Sequence, residues 1–294
     1  MSGLDWNAQG LIWPHREASA FVETNGKRWH VQRMGEGPPL LLLHGTGASV
    51  HSWRGVMPLL ARDFAVTAID LPRHAFTTGH DAYAMSLPAM SAEVARLLEA
   101  LDLAPAAIVG HSAGAAIGAR LAMDERWDAT LIGLTPALMP FPGLAARLFP
   151  ALARMLFVNP FTAMIFAQMA SSRGEVARFL KKSTGSRIDD LGIDLYHRLF
   201  RTSDHCAGAI GMMANWDLET LSASLPGLTG RTLLIHGGRD AMVPTDSVER
   251  AAKLIPGAEL SVIPDLGHLA HEEAPDRIAE MILAFAATSP AEAA

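Results

Sequence analysis

Short apolar runs alternate with amphipathic stretches along both ends of the chain, while its middle is apolar without that alternation. Pro39–Leu43 and Ala65–Ile69 are continuous apolar runs that end where polar or glycine residues begin, the signature of buried strands. Residues 53–60 between them carry apolar side chains at helical spacing, as do residues 88–103, where Glu93, Arg96 and Glu99 fall on the opposite side. A third apolar run, 106–109, leads into Gly110-His111-Ser112-Ala113-Gly114 and a helix of small residues reaching about Met123. Residues 232–236 and 260–263 repeat the strand pattern, with helical patterns at 248–254 and Pro275–Ala287. Strands and helices in alternation predict an α/β fold, a mostly parallel central sheet with helices on both faces.

Residues 136–225 break the alternation with helical patterns and no convincing strand, which predicts a helical cap inserted into the sheet domain. The expected division is a core of residues 1–135 and 226–294 and a cap subdomain of 136–225. The first half of the cap is rich in Met and Phe, including Met139, Phe141, Phe149, Met155, Phe157, Phe161, Met164, Phe166 and Met169. These side chains either form an ordinary cap core or shape an apolar site that adapts to a flat or greasy ligand. Residues 144–170 are strongly apolar, but Arg147, Pro150, Arg154 and Asn159-Pro160 interrupt the run of about 20 clean residues a membrane span needs. Broken helices are expected there.

Composition narrows the function classes. With 294 residues, half of them hydrophobic and under a fifth charged, the chain can bury one large core plus an insertion. A net charge of −6 offers no basic footprint for nucleic acid. The single cysteine, Cys206, forms no internal disulfide and no zinc cluster, which fits a reducing, cytoplasmic setting. The first residues lack a basic start followed by an apolar run, so no cleaved signal is expected.

Gly110-x-Ser112-x-Gly114 lies between a strand and a helix, the context of a nucleophile elbow. A serine at the tip of so tight a turn requires small neighbours; taken alone, the pentapeptide fits a simple tight turn equally well. Its hydroxyl needs a base and an orienting acid. His268, in Leu266-Gly267-His268-Leu269-Ala270 after the last strand, and Asp240, after Gly237-Gly238-Arg239, complete a catalytic triad in the order Ser, Asp, His. His271 is the reserve base, or else an exposed residue ahead of Glu272 and Glu273. His44-Gly45-Thr46-Gly47 follows the first strand, and the amides of Thr46 and Ala113 are the expected oxyanion hole. His44, Gly45, His111, Trp53, Met139 and Phe141 are the candidate pocket residues, although His111 and Trp53 serve equally well as packing.

Together these motifs resemble the α/β-hydrolase superfamily from the strand before His44 to the helix after His268. Within it, Trp13-Pro14-His15-Arg16-Glu17-Ala18-Ser19, Trp29-His30-Val31-Gln32-Arg33-Met34-Gly35-Glu36-Gly37, His44-Gly45-Thr46-Gly47-Ala48-Ser49 and His51-Ser52-Trp53-Arg54 resemble the magnesium-chelatase accessory proteins of bacteriochlorophyll synthesis. That resemblance implies a bacterial photosynthetic setting, a tetrapyrrole as ligand and a magnesium-chelatase subunit as partner. In Asp70-Leu71-Pro72-Arg73-His74-Ala75-Phe76 the family pattern would place glycines at Arg73 and Ala75, so an altered turn is expected. Arg73 closes the pocket, binds a ligand acid such as a propionate, or points into water, the last being favoured.

The function expected is cleavage of an ester or similar acyl bond through an acyl-enzyme, without metal or organic cofactor, on an apolar small molecule. The rival is a porphyrin carrier for the chelatase with little or no turnover. Either is compatible with peripheral membrane contact through the cap, with Arg147, Arg154 and Arg178 facing lipid headgroups. An elbow aspartate would be expected of dehalogenases and epoxide hydrolases, and Ser112 stands there instead.

Overall fold

The computed structural model describes residues 3–79, 85–140 and 172–287. Eight strands form one sheet in the order β1-β2-β4-β3-β5-β6-β7-β8. They are β1 Ser19–Thr24, β2 Lys27–Met34, β3 Pro39–Leu43, β4 Ala65–Ile69, β5 Ala107–His111, β6 Thr130–Leu134, β7 Thr232–Gly237 and β8 Glu259–Ile263. β1 pairs antiparallel with β2 and β2 antiparallel with β4; every other pairing is parallel. The mostly parallel sheet expected from the sequence is therefore present, extended at one edge by an antiparallel hairpin.

The reason β3 reads as an unbroken apolar run is visible in its packing. Leu40 and Leu42 enter the core on one face of the sheet, Leu41 and Leu43 the core on the other, and all four are fully buried. Each contributes about 2 kcal/mol by leaving water. Helices α1 Leu87–Ala100, α2 Ala113–Glu125 and α7 Thr245–Leu254 cover one face, and α8 Pro275–Ala287 covers the other together with the segment around Trp53 and Met57. Between β6 and β7 the described residues form helices α3 Arg173–Thr184, α4 Asp190–Phe200, α5 Ser203–Asn215 and α6 Leu218–Ser224, and no strand. The Met- and Phe-rich stretch from Phe141 to Met169, with Arg147 and Arg154, lies outside the described residues. No helix among those described is long and apolar enough to cross a membrane.

Two local expectations change. Residues 53–60 do not form one helix: a 3-10 turn, Val50–Trp53, is followed by the four-residue helix Met57–Leu60. Gly55 separates them, and a Cβ there would come within 2.7 Å of Pro275, so close approach of α8 takes precedence over helix continuity. Glu93, read as part of the solvent face of α1, is buried and bonded to Lys27 Nζ at 3.1 Å and Asn25 Nδ2 at 2.9 Å. It ties the β1–β2 hairpin to the helix.

The segments quoted for the subgroup resemblance converge in space. Gln32 Nε2 donates to the carbonyl of Pro14 at 2.7 Å, and the Trp13 ring lies 5.7 Å from that of His51. His30 shares a hydrogen bond of 2.7 Å with Asp70, whose other oxygen accepts the Val50 amide at 2.8 Å. The N-terminal segment, β2 and the loop after β3 thus lock one another in place beside the carboxyl ends of the strands.

Candidate active site

Ser112 sits between β5 and α2 with φ 51° and ψ −114°, left-handed backbone that a side-chain-bearing residue adopts only when its surroundings hold it there. The glycines on either side explain how the turn closes. A Cβ on Gly110 would lie 2.4 Å from the Ala115 nitrogen, and one on Gly114 would lie 2.2 Å from the Leu43 carbonyl oxygen. Sterics thus select the pentapeptide, and the strand-to-helix turn lifts Ser112 to the carboxyl edge of the sheet, where it is half-buried. The Ser112 amide donates to the Leu134 carbonyl at 2.9 Å, anchoring the turn to β6.

Asp240 and His268 are brought together from the ends of β7 and β8. His268 Nδ1 is 2.7 Å from Asp240 Oδ2, while Oδ1 accepts the amides of Met242 and Val243 at 2.7 and 3.0 Å. The acceptor carboxylate places a proton on Nδ1 and leaves Nε2 as the basic nitrogen. The backbone of His268 is gripped three ways: its amide donates to the Thr184 carbonyl at 2.8 Å, and its carbonyl accepts His111 Nε2 at 2.9 Å and Thr135 Oγ1 at 2.8 Å. Through His111, the residue before Ser112, the serine turn and the histidine loop are joined; the two imidazole rings are 4.8 Å apart.

The loop after β3 lies against the serine. A Cβ on Gly45 would come within 3.2 Å of Ser112 Cβ and 2.7 Å of His111 Nδ1, so only glycine lets this backbone approach so closely. Among the described residues neither the Thr46 nor the Ala113 amide donates to a backbone acceptor, and Ala113 opens helix α2, where backbone N–H groups and the helix dipole favour negative charge. The rest of the loop is held by neutral imidazoles. His44 Nδ1 donates to the Gly45 carbonyl at 2.8 Å and its Nε2 accepts the Leu71 amide at 2.9 Å. His74 Nε2 accepts the Gly47 amide at 3.2 Å. His205 Nε2 donates to the Gly47 carbonyl at 3.0 Å. Burial lowers the pKa of all three, that of His205 to about 4. Despite the number of histidines, no group of three or more His, Cys, Asp or Glu side chains among the described residues is placed to hold a metal ion.

Other candidates fall differently. Trp53 is completely buried with its ring 4.7 Å from that of His271, and His111 is buried behind the serine. Met139 is half-buried beside the core, and Phe141 lies outside the described residues. His271, for which exposure was one expectation, is fully buried and its pKa falls to about 3 through desolvation, because the short helix Ala270–Glu273 turns it inward against Trp53 and His111. Arg73 does not point into water: it is buried and pairs with Asp204 of α5 at 3.0 Å. The turn that lacks the family's glycines keeps their geometry, with φ 62° at Arg73 and 43° at Ala75.

Several contributors were not visible in the sequence. Ser186 Oγ accepts the Leu269 amide at 2.8 Å, Glu273 Oε1 accepts the Gly267 amide at 2.7 Å, and a Cβ on Gly185 would strike the Arg239 carbonyl at 2.0 Å. The end of α3 therefore packs against both the aspartate and the histidine loops. Glu272 is buried with Arg54 and accepts Tyr196 Oη at 2.8 Å; burial raises its pKa, with Arg54 opposing. Apart from the local Glu273–Gly267 contact, their signals are tertiary, since each partner comes from a distant segment.

Comparison with known proteins places the fold. The alpha/beta hydrolase family matches residues 40–281. The magnesium-chelatase 30 kDa subunit of Rhodobacter capsulatus is 39% identical over 282 residues, which cover 95% of this chain and 98% of that protein. The pimeloyl-[acyl-carrier protein] methyl ester esterase of Aeromonas hydrophila is 28% identical over 269 residues, covering 87% of this chain and 98% of that one. An alpha/beta hydrolase fold protein from Burkholderia ambifaria superposes with a TM-score of 0.74 at 22% identity, over 91% of this chain and 97% of that chain.

Proposed function

The chain belongs to the alpha/beta hydrolase family, and from that premise we propose that it is a serine hydrolase of ester or related acyl bonds acting on a tetrapyrrole. The observation that carries the reading is the strained Ser112 turn joined through His111 to the loop of a histidine paired with Asp240. Ser112 Oγ attacks the acyl carbon as its proton passes to His268 Nε2, and Asp240 holds the imidazole and balances the charge that develops on it. The amides of Thr46 and Ala113 bind the oxyanion. Collapse of the tetrahedral intermediate expels the alcohol, which takes the proton from His268. Water, deprotonated by the same nitrogen, attacks the acyl-enzyme, and collapse releases the acid as His268 returns the proton to Ser112 Oγ.

The segment 136–225 serves as the cap of this site, with the chain acting in the cytoplasm and its cap touching the membrane surface. Similarity to the 30 kDa chelatase subunit supports the tetrapyrrole and a magnesium-chelatase partner, and equally favours a carrier that holds a porphyrin without turnover. Turnover of short p-nitrophenyl esters by the wild type and Ser112→Ala, with binding of magnesium-free and magnesium protoporphyrin to both, separates the two. Turnover lost in the variant supports the hydrolase. Equal porphyrin binding with no turnover by either replaces it with the carrier.

A further inference from the structure

One face of α5 lies on the two loops that back the candidate oxyanion hole. The residues involved are Asp204, His205, Gly208, Ala209 and Met212, a stripe at helical spacing. Asp204 pairs with Arg73, and a Cβ on Gly208 would lie 2.4 Å from the Arg73 carbonyl oxygen, so glycine there brings helix and loop together. A Cβ on Gly47 would meet Ala209 at 3.9 Å, and Thr46 Oγ1 lies 3.9 Å from Met212 Sδ. At the centre is His205, almost fully buried, whose two ring nitrogens are both used: Nδ1 accepts the Ala75 amide at 3.1 Å and Nε2 donates to the Gly47 carbonyl at 3.0 Å.

We propose that His205 is a positioning residue for the oxyanion hole, through which α5 fixes the backbone that carries the Thr46 amide. The geometry has a specific logic. Gly47 is held from both sides, its amide by His74 and its carbonyl by His205, and at φ 76° it occupies a conformation open to glycine without strain. A glycine adjacent to an oxyanion donor confers no rigidity of its own; the Ala48 amide closes the turn onto the Gly45 carbonyl at 3.1 Å, and the two imidazoles fix the orientation of the Gly47 peptide groups within it. Neutral His205 can donate at one nitrogen and accept at the other, which matches one carbonyl and one amide. Burial, which lowers its pKa to about 4, keeps it in that form near neutrality. Displacing α5 would therefore loosen the oxyanion loop even with Ser112, Asp240 and His268 untouched.

The inference rests on the hydrolase reading, and its test separates the two. His205→Phe keeps a ring of similar size without either nitrogen, whereas His205→Gln supplies an acceptor and a donor on one side chain. Both are compared with wild type by p-nitrophenyl ester kinetics and by residue-resolved amide exchange. The proposal expects His205→Phe to lower kcat about tenfold or more with KM within about twofold, since hole donors are worth about 100-fold or more. Exchange of the Ala75 and Gly47 amides should accelerate while those of β5 and α2 stay protected, and His205→Gln should recover most of both effects. Wild-type exchange and kcat in His205→Phe would overturn it, as would loss of protection throughout the sheet. A wild type without turnover would end the hydrolase reading alone; the amide exchange would still decide whether His205 holds the loop.

Discussion

Asp240 Oδ2 lies 2.7 Å from His268 Nδ1, and the other oxygen of that carboxylate is occupied by the amides of Met242 and Val243. One oxygen is thus fixed to the backbone and one is reserved for the imidazole. In Asp240→Asn the side-chain carbonyl keeps the two amides and an N–H is turned towards Nδ1, forcing the proton onto Nε2. The rate of ester hydrolysis should fall by about 10³- to 10⁴-fold with the fold retained. Steady-state kinetics with a circular dichroism control measure it; a variant within tenfold of wild type contradicts the assignment of Asp240.

The elbow predicts opposite stability effects two residues apart. Ser112→Gly relieves the left-handed backbone and should raise stability by about 1 kcal/mol while abolishing turnover. Gly114→Ala drives a Cβ into the Leu43 carbonyl and should cost about 3 kcal/mol or prevent folding. Urea midpoints of the two variants test the pair.

Buried histidines predict acid lability. His205, at about 4, and His271, at about 3, lie below the value near 6.5 of an unfolded histidine, so between these limits the unfolded chain binds more protons. Their contribution is fully present above pH 6.5 and is lost as pH falls through the folded values, on the order of 3 kcal/mol for His205 and about 5 kcal/mol for His271. Glu272 has the opposite sign: its raised pKa favours the folded state at low pH, and that gain is lost as pH rises through the folded value. The histidines outnumber it, with His44, His51, His74 and His111 lowered as well. Urea midpoints at pH 7.5, 6 and 5 should fall steadily, and a flat profile would contradict the account.

Ser186 carries a prediction for the link between α3 and the histidine loop. Ser186→Ala leaves the buried Leu269 amide without its acceptor, which should cost about 1–3 kcal/mol and lower kcat more than it changes KM. Thermal unfolding and kinetics on one preparation check both parts.

How much was legible depended on where each element's partners lie. β3, β4 and β7 were readable because strands buried on both faces are apolar at most positions. β2 was not read as a strand: its buried His30 and Gln32 are satisfied by Asp70 and Pro14, contacts no local pattern encodes. β1, a half-exposed edge strand, and β6, a short run before the proposed cap, were missed as well. At the candidate site, Ser112, Asp240 and His268 stood out because the proposed chemistry asks for those residue types, in that order, after strands β5, β7 and β8. His205, Thr184 and Ser186 did not, since they act by hydrogen bonds across more than 80 residues of chain. Arg73 and Ala75 show the limit in another way: side chains replace the glycines while the left-handed turn persists, held by α5.

The central claim is that Ser112 is an activated nucleophile, and covalent labelling tests it most directly. Wild type and Ser112→Ala are incubated with a serine-directed fluorophosphonate, and the adduct is weighed on the intact protein and located by peptide mass. The account predicts one adduct, on Ser112, absent from the variant. A folded wild type that gains no adduct, or gains it at another serine, would contradict it.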